Sequence, residues 1–279
     1  YADVSEYSPQ VKWLKEDLNW DGMVITDWGD TDGLWTSDHM ARSKKEAIKM
    51  AVNAGCDMLM VTTDTTYLTL LKELVQEQAV SQARIDDAVS RVLRLKYRLG
   101  LFDKNKETPS DYSLYGSTDF ANAARQTALE SMVLLKNDTI QDSPLLPLHR
   151  GQRLLVCGPN ANTMRGLNGG WSYTWQGSNT EKFTTNYKTI YQALSEKFGK
   201  ENVSLVEGVS YNNKGNWQDE YTTDLEKAVE AARNVDVIIA CIGENSYAET
   251  SGNILDANIS VNQHQLVEEL AATGKPVVL

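Results

Sequence analysis

At 279 residues the chain has room for one large domain or two ordinary ones, at roughly 100–200 residues per domain. Hydrophobic residues make up 41% and charged residues 23%, a globular balance rather than a disordered or fibrous one. The formal net charge of −11, with no Lys/Arg-rich run to offset it, opposes binding to nucleic acid or anionic lipid. No apolar run approaches the ~20 residues of a membrane span.

The chain opens at Tyr1 with no initiator Met and no signal-peptide pattern, and closes on Val277-Val278-Leu279, which reads as a buried strand. An internal piece of a longer protein is therefore expected. Ser8 and Pro9 supply an N-cap and a first-turn proline for a helix with Val11, Leu14 and Leu18 at helical spacing. A short apolar strand over 23–26 runs into Asp27-Trp28-Gly29. Ser43 and Glu46 form a capping-box pattern for a helix with Ile48, Ala51 and Val52 that stops at Gly55. A buried strand over 58–61, a helix through Leu70-Leu71, and a longer helix with Ile85, Val89, Val92 and Leu93 ending near Gly100 complete this stretch. Strands alternating with helices of this length predict parallel βα units.

Residues 104–120 turn polar around Pro109 and Gly116, the composition of a linker. Alternation then resumes. Strands are predicted over 132–135, 154–157, 203–206, 235–241 and 277–279, and helices over 121–129, 190–198, 225–232 and 265–272. A second α/β layer domain over 121–279 follows from this.

In parallel α/β folds ligands bind at the carboxyl ends of the strands, which singles out three segments. The first is the loop after Ile25. Asp27 there is a carboxylate able to attack an anomeric carbon, and the Trp28 indole suits the apolar face of a sugar ring. An ordinary turn or helix cap would explain the aspartate equally well. The second is Gly243-Glu244-Asn245-Ser246-Tyr247-Ala248-Glu249-Thr250, where either Glu244 or Glu249 could act as general acid on chemistry alone. A solvated acidic loop is the plainer explanation. The third is Gly169-Gly170-Trp171-Ser172-Tyr173-Thr174-Trp175-Gln176-Gly177, whose aromatics on a glycine-rich loop suggest a stacking surface, or else anchors packed beneath the loop.

Several alternatives fail. Asp27, Asp30, Asp32 and Asp38 do not fit a calcium loop, because the first and twelfth ligand positions would be Trp28 and His39. The three histidines are not at ligand spacing, so no metal site is expected. Cys56, Cys157 and Cys241 are far apart in apolar surroundings and read as buried free thiols. Nucleotide-binding glycine motifs and a Gly-x-Ser-x-Gly elbow are missing.

Taken in order, the segments resemble glycoside hydrolase family 3, in its two-domain β-glucosidase and glucan-exohydrolase branch. Asp21-Gly22-Met23-Val24-Ile25-Thr26-Asp27-Trp28 is similar to that family's nucleophile signature, and Ala54-Gly55-Cys56-Asp57-Met58 to the stretch on its next strand. Lys96-Tyr97-Arg98-Leu99-Gly100-Leu101-Phe102 is like the helix closing the barrel domain, and Glu130-Ser131-Met132-Val133-Leu134-Leu135-Lys136-Asn137 like the opening strand of the sandwich. Gly243-Glu244 to Glu249-Thr250 is similar to the acid/base loop, although Asn253 follows Gly252 where the family often has Asp.

The resemblance implies an α/β fold in which the C-terminal part of a TIM-like (β/α)8 barrel, over 1–103, is followed by a linker over 104–120 and an α/β sandwich domain over 121–279. It implies a retaining β-glycosidase acting on terminal β-D-glucosyl residues, with Asp27 as nucleophile, Glu249 rather than Glu244 as acid/base, and Trp28 and Trp175 lining the leaving-group subsite. No cofactor is implied. The partners implied are a β-linked oligosaccharide or glucoside substrate and the remainder of the barrel, without which the isolated chain is expected to turn over poorly. Family habit points to a periplasmic or secreted protein. A β-xylosidase, a β-N-acetylhexosaminidase of the same family with a histidine acid, and a non-catalytic sugar-binding fragment are the competing expectations.

Overall fold

The computed structural model describes residues 11, 13–61, 63–103, 107–140, 143–212 and 216–279. They form two compact units, Tyr1–Glu130 and Ser131–Leu279. The predicted helix start at Ser8-Pro9 lies outside the described residues.

In the first unit, residues 23–26 and 58–61 run extended and parallel, joined by the bridge Ile25↔Met58. The Met58 N–H donates to the Val24 carbonyl (3.1 Å), the Thr26 N–H to the Met58 carbonyl (3.2 Å) and the Gly29 N–H to the Met60 carbonyl (3.0 Å). These are the two predicted strands, paired with each other by one bridge rather than a full ladder. Between them lie α1 (Asp30–Thr36) and α2 (Lys44–Asn53). Ala47, Ile48, Ala51 and Val52 are all buried, so α2 forms the centre of the unit. Ala47 and Ala51 pack with Leu34, Cys56 and Val24, while Ile48 and Val52 pack with Tyr67, Leu74 and Val80.

The start of α2 shows half of the expected capping box. The Ser43 hydroxyl accepts from the Glu46 N–H, but the Glu46 carboxylate reaches past Ser43 to the Arg42 N–H (2.7 Å). Helices α3 (Thr66–Gln76) and α4 (Gln82–Arg98) follow. In α4 only Ala88 is buried, and Val89, Leu93 and Tyr97 are exposed. Before the first extended run, Trp13–Asp17 winds as a wide π-turn instead of the α-helix that the spacing predicts. Lys15 projects from that turn to the Gly55 carbonyl and to both oxygens of Asp57, each at 2.6 Å. Asp57 has no exposed side-chain surface; it also pairs with Arg84 and accepts from the Val24 N–H (2.9 Å). This buried carboxylate ties the start of one extended run to the other.

The chain then passes through α5 (Thr118–Ser131), which buries none of its residues and begins within the polar segment 104–120. Residues 132–135 have no regular secondary structure, join no sheet and stand exposed, contrary to the strand predicted there. An apolar β-forming run becomes a strand only beside a partner, and no described residue pairs with it. A two-residue antiparallel pair, β1 (Thr139–Ile140) with β2 (Ser143–Pro144), leads into the second unit's sheet.

That sheet has four parallel strands, β3 (Leu154–Cys157), β4 (Val203–Leu205), β7 (Val237–Ala240) and β8 (Val277–Val278), in the order β4-β3-β7-β8. All four residues of β3 are buried, as a central strand covered on both faces requires. Leu154 and Val156 face α7 (Ile190–Phe198), packing with Phe198, Ile190 and Leu194. Leu155 and Cys157 face the opposite way, toward Ala228 and Ala232 of α8 (Leu225–Arg233) and Leu266 and Leu270 of α9 (Val261–Ala271). Helix α7 starts with a complete capping box: the Thr189 hydroxyl accepts from the Gln192 N–H and the Gln192 side chain from the Thr189 N–H. A short α6 turn (Arg165–Asn168) and an antiparallel pair, β5 (Gly208–Tyr211) with β6 (Glu220–Thr223), complete the unit.

Candidate active site

Asp27 and Trp28 follow the first extended run of the first unit, and both are exposed. The buried Thr26 fixes the end of that run, its hydroxyl accepting from the Met60 N–H (2.9 Å). One Asp27 oxygen accepts from the Trp28 N–H (2.6 Å), and the Asp27 N–H donates to the Asp30 carboxylate (3.3 Å). Gly29, at φ 79°, then turns the chain into α1. Nearby, Lys44 pairs with Asp64 and lies 3.6 Å from Asp32. The Lys44 hydrogen bond, helped by Thr66, draws the Asp64 carboxyl down to about 2.

In the second unit the order of the parallel strands reverses direction at β3, whose neighbours β4 and β7 lie on opposite sides. The crevice beyond the strand ends at such a switch point is the usual ligand position in an open α/β sheet. Here the loops leaving β3 and β7 touch. A Cβ on Gly158 (φ +90°) would lie 2.4 Å from the Cys241 carbonyl, so only glycine fits where the loops diverge.

The loop after β3 carries Trp175 and the loop after β7 carries Glu249, and the two are laced together. The buried Arg165 donates from Nε to the Ser246 hydroxyl (2.6 Å), which donates to the Gln176 carbonyl (2.7 Å). A Cβ on Gly170 would sit 2.0 Å from the Tyr247 carbonyl. The glycines of the tryptophan loop therefore serve close backbone approach as well as display of aromatics. Trp171, Tyr173 and Trp175 are exposed, with Tyr173 stacked on Phe183 at 4.7 Å. Trp171 (φ 59°) and Tyr173 (φ 61°) hold left-handed backbone, a costly conformation for bulky residues and one that gathers at functional sites.

Glu249 is exposed, has φ 58° and opens the 3-10 turn Glu249–Gly252. Glu244, the other carboxylate on this loop, accepts from the Tyr247 hydroxyl (2.9 Å), and that bond raises the Tyr247 pKa. Gln263 pins the base of the loop, accepting from the Gly243 N–H (2.8 Å) and donating to the Gly243 carbonyl (2.7 Å). Glu244, Asn245, Trp217 and Glu220 line a cavity of about 500 Å3 beside it. Arg165, Gln263 and Trp217 carry no chemical motif in the sequence, and Gln176 is singled out there only as part of the tryptophan loop; their hydrogen bonds to the loop bearing Glu249 emerge only from the fold. Of the residues singled out in the sequence, Asp27 and Trp28 lie together in the first unit. Trp175 and Glu249 lie on joined loops of the second. Among the described residues no group of three or more His, Cys, Asp or Glu could hold a metal ion.

An extended run leading through Asp27-Trp28 into α1, followed by a unit whose parallel sheet has Trp175 and Glu249 on the loops that leave β3 and β7, defines a two-unit α/β protein. Residues 7–95 match the glycosyl hydrolase family 3 N terminal domain and residues 132–279 the glycosyl hydrolase family 3 C-terminal domain, and the chain belongs to glycosyl hydrolase family 3. It is 35% identical to a lysosomal beta glucosidase of Dictyostelium discoideum, over 99% of this chain and 33% of that protein. It is 30% identical to a beta-xylosidase of Formosa agariphila, over 95% of this chain and 36% of that one. Among solved structures, a beta-glucosidase from Listeria innocua in complex with glucose is similar at a TM-score of 0.64 and 27% identity, covering 98% of this chain and 35% of that one. The chain thus spans about a third of the length of these relatives.

Proposed function

We propose that the chain carries both catalytic carboxylates of a retaining β-glycosidase that removes terminal β-D-glucosyl residues from oligosaccharides or glucans. Asp27 is the nucleophile and Glu249 the acid/base. The observation that carries this reading is the placement of the two carboxylates. Each lies at a family-motif position and is exposed, Asp27 directly after a parallel extended run and Glu249 at the far end of the loop that leaves β7. In the first step the Asp27 carboxylate attacks the anomeric carbon while Glu249 gives its proton to the departing oxygen. In the second, Glu249 takes a proton from water, whose oxygen displaces Asp27. This chemistry requires the carboxyl groups roughly 5–5.5 Å apart in the working enzyme, and no cofactor. Trp28 and Trp175 line the leaving-group subsite.

In this reading, residues 1–103 are the C-terminal part of a TIM-like (β/α)8 barrel, 104–120 a linker, and 121–279 an α/β sandwich, with the rest of the barrel as the packing partner. The βα order of the first unit and the family match over 7–95 support it. A β-xylosidase is the second reading, supported by the Formosa relative. Peptide mapping of the full-length protein after treatment with a 2-deoxy-2-fluoro-β-glucosyl inactivator tests the assignment. The expected result is one label, on Asp27; a label on another carboxylate refutes it. Labelling by the fluoroxyloside alone selects the xylosidase. The 279-residue chain by itself is expected to label far more slowly than the full-length protein.

A further inference from the structure

Glu249 stands at the end of a loop, residues 241–248, that belongs to no sheet. A general acid works only where its proton meets the departing oxygen, and a displacement of about 1 Å can cost on the order of 100-fold in rate. Something must hold the loop's far end, and the structure shows what does. The Ala248 N–H donates to Gln176 Oε1 at 2.9 Å, and Gln176 Nε2 donates to the Ala248 carbonyl at 3.2 Å. One side-chain amide thus satisfies both backbone groups of the residue preceding Glu249, as a neighbouring strand would. Gln176 is itself held through its carbonyl by Ser246, which the buried Arg165 orients. Beyond Glu249, the Trp217 indole N–H donates to the Ser251 carbonyl, and its ring lies 4.4 Å from that of Tyr247.

We propose that Gln176 is the positioning residue for Glu249. By pairing with Ala248 it fixes the acid/base carboxyl in register with the adjacent Trp175 platform, without touching the substrate. The proposal rests on the reading of Glu249 as the acid/base, and the test separates the two.

Acid assistance matters in proportion to the basicity of the leaving group. A 2,4-dinitrophenolate departs without a proton, whereas a sugar alkoxide does not. In the full-length protein, Gln176→Met keeps the chain length of the side chain and removes the amide. Its kcat/KM on cellobiose is expected to fall about 100-fold, while that on 2,4-dinitrophenyl β-glucoside changes only a few-fold. Labelling of Asp27 by the activated fluoroglucoside should proceed at close to the wild-type rate, showing an intact pocket. Gln176→Glu retains an acceptor for the Ala248 N–H and loses the donor; it should show a smaller loss in the same pattern and decides the matter if the methionine variant does not fold. Equal losses on both substrates, or none, overturn the proposal. Glu249→Gln is the control. If it shows the leaving-group dependence and the Gln176 variants do not, Gln176 has no positioning role and Glu249 keeps its own. If Glu249→Gln lacks the dependence, the acid assignment falls and the proposal with it.

Discussion

Replacing Asp57 by alanine should loosen the first unit more than any other single exchange of a charged residue there. Its carboxylate, wholly buried, pairs with Lys15 and Arg84 and accepts the Val24 N–H. Removing one member of a buried ion pair costs about 3–5 kcal/mol, because the remaining charge is left uncompensated. The stranded groups bound the figure independently. Lys15 is already pushed below its ordinary value of 10.5 by burial, against the pull of Asp57. Losing its proton at pH 7 instead costs at most (10.5 − 7) × about 1.4, or about 5 kcal/mol. Arg84 cannot escape in this way but keeps its pairing with Asp87. The ion-pair figure of about 3–5 kcal/mol stays within that ceiling. Hydrogen exchange read by mass spectrometry on peptides covering 13–26 and 54–61 measures local opening directly and needs no two-state melt. Exchange in Asp57→Ala should be faster by about two to four orders of magnitude, and turnover should fall because the run ending at Asp27 is displaced. A change below tenfold would mean that the pairs contribute little and the backbone bonds between the two runs hold them unaided. Replacing Lys15 and Asp57 together by apolar residues of similar size should recover much of the loss.

Burial raises the thiols of Cys56 to about 11, Cys157 to about 12 and Cys241 to about 11, so almost no thiolate exists at pH 8. Iodoacetamide should leave all three unmodified in the native protein at that pH and alkylate all three in guanidinium; native labelling contradicts the burial. Gly158→Ala introduces a side chain at φ +90°, 2.4 Å from the Cys241 carbonyl, and should cost at least about 1–3 kcal/mol. A lowered melting temperature, with turnover falling more steeply than stability, is the expected signature. Trp175→Ala should raise KM for aryl glucosides roughly 2- to 12-fold, from the loss of one aromatic stack, and leave glucosyl fluoride, which has no leaving-group ring, unaffected. An equal effect on both substrates places Trp175 outside the leaving-group subsite.

Local signals account for what could be read from the sequence. Helix α7 occupies the predicted 190–198 because an N-terminal cap and Gly199 at φ 94° close it at both ends. Strand β3 matches 154–157, a four-residue apolar run buried on both faces. Helix α1 was not anticipated: Asp30, Asp32 and Gly33 have turn composition, and packing of Leu34 into the core overrides it. The β5–β6 pair was missed because two short half-polar runs are separated by a polar stretch, and pairing alone makes them strands. Residues 132–135 fail the other way, with strand-forming composition and no described partner. The proposed carboxylates and tryptophans rest on motif; Asp27 and Trp28 stand directly after an extended run, whereas Glu249 and Trp175 stand well along the loops that leave β7 and β3. The pairing of Gln176 and Gln263 with backbone is not legible in the sequence, because a glutamine acquires its role only from the backbone it meets.

The chemistry expected of Glu249 explains why that role falls to glutamines. A general acid must keep its proton at the working pH, and a nearby cation would stabilise the carboxylate and strip the proton away. The backbone on either side of Glu249 is held by neutral groups, the Gln176 amide at Ala248 and the Trp217 indole at Ser251. The base of the loop is held by another amide, Gln263 at Gly243. The guanidinium of Arg165 enters further back, at Ser246. An amide offers a donor and an acceptor together, so it can replace the missing sheet partner at both ends of the loop. It does so without adding charge beside the carboxyl group proposed as the acid/base.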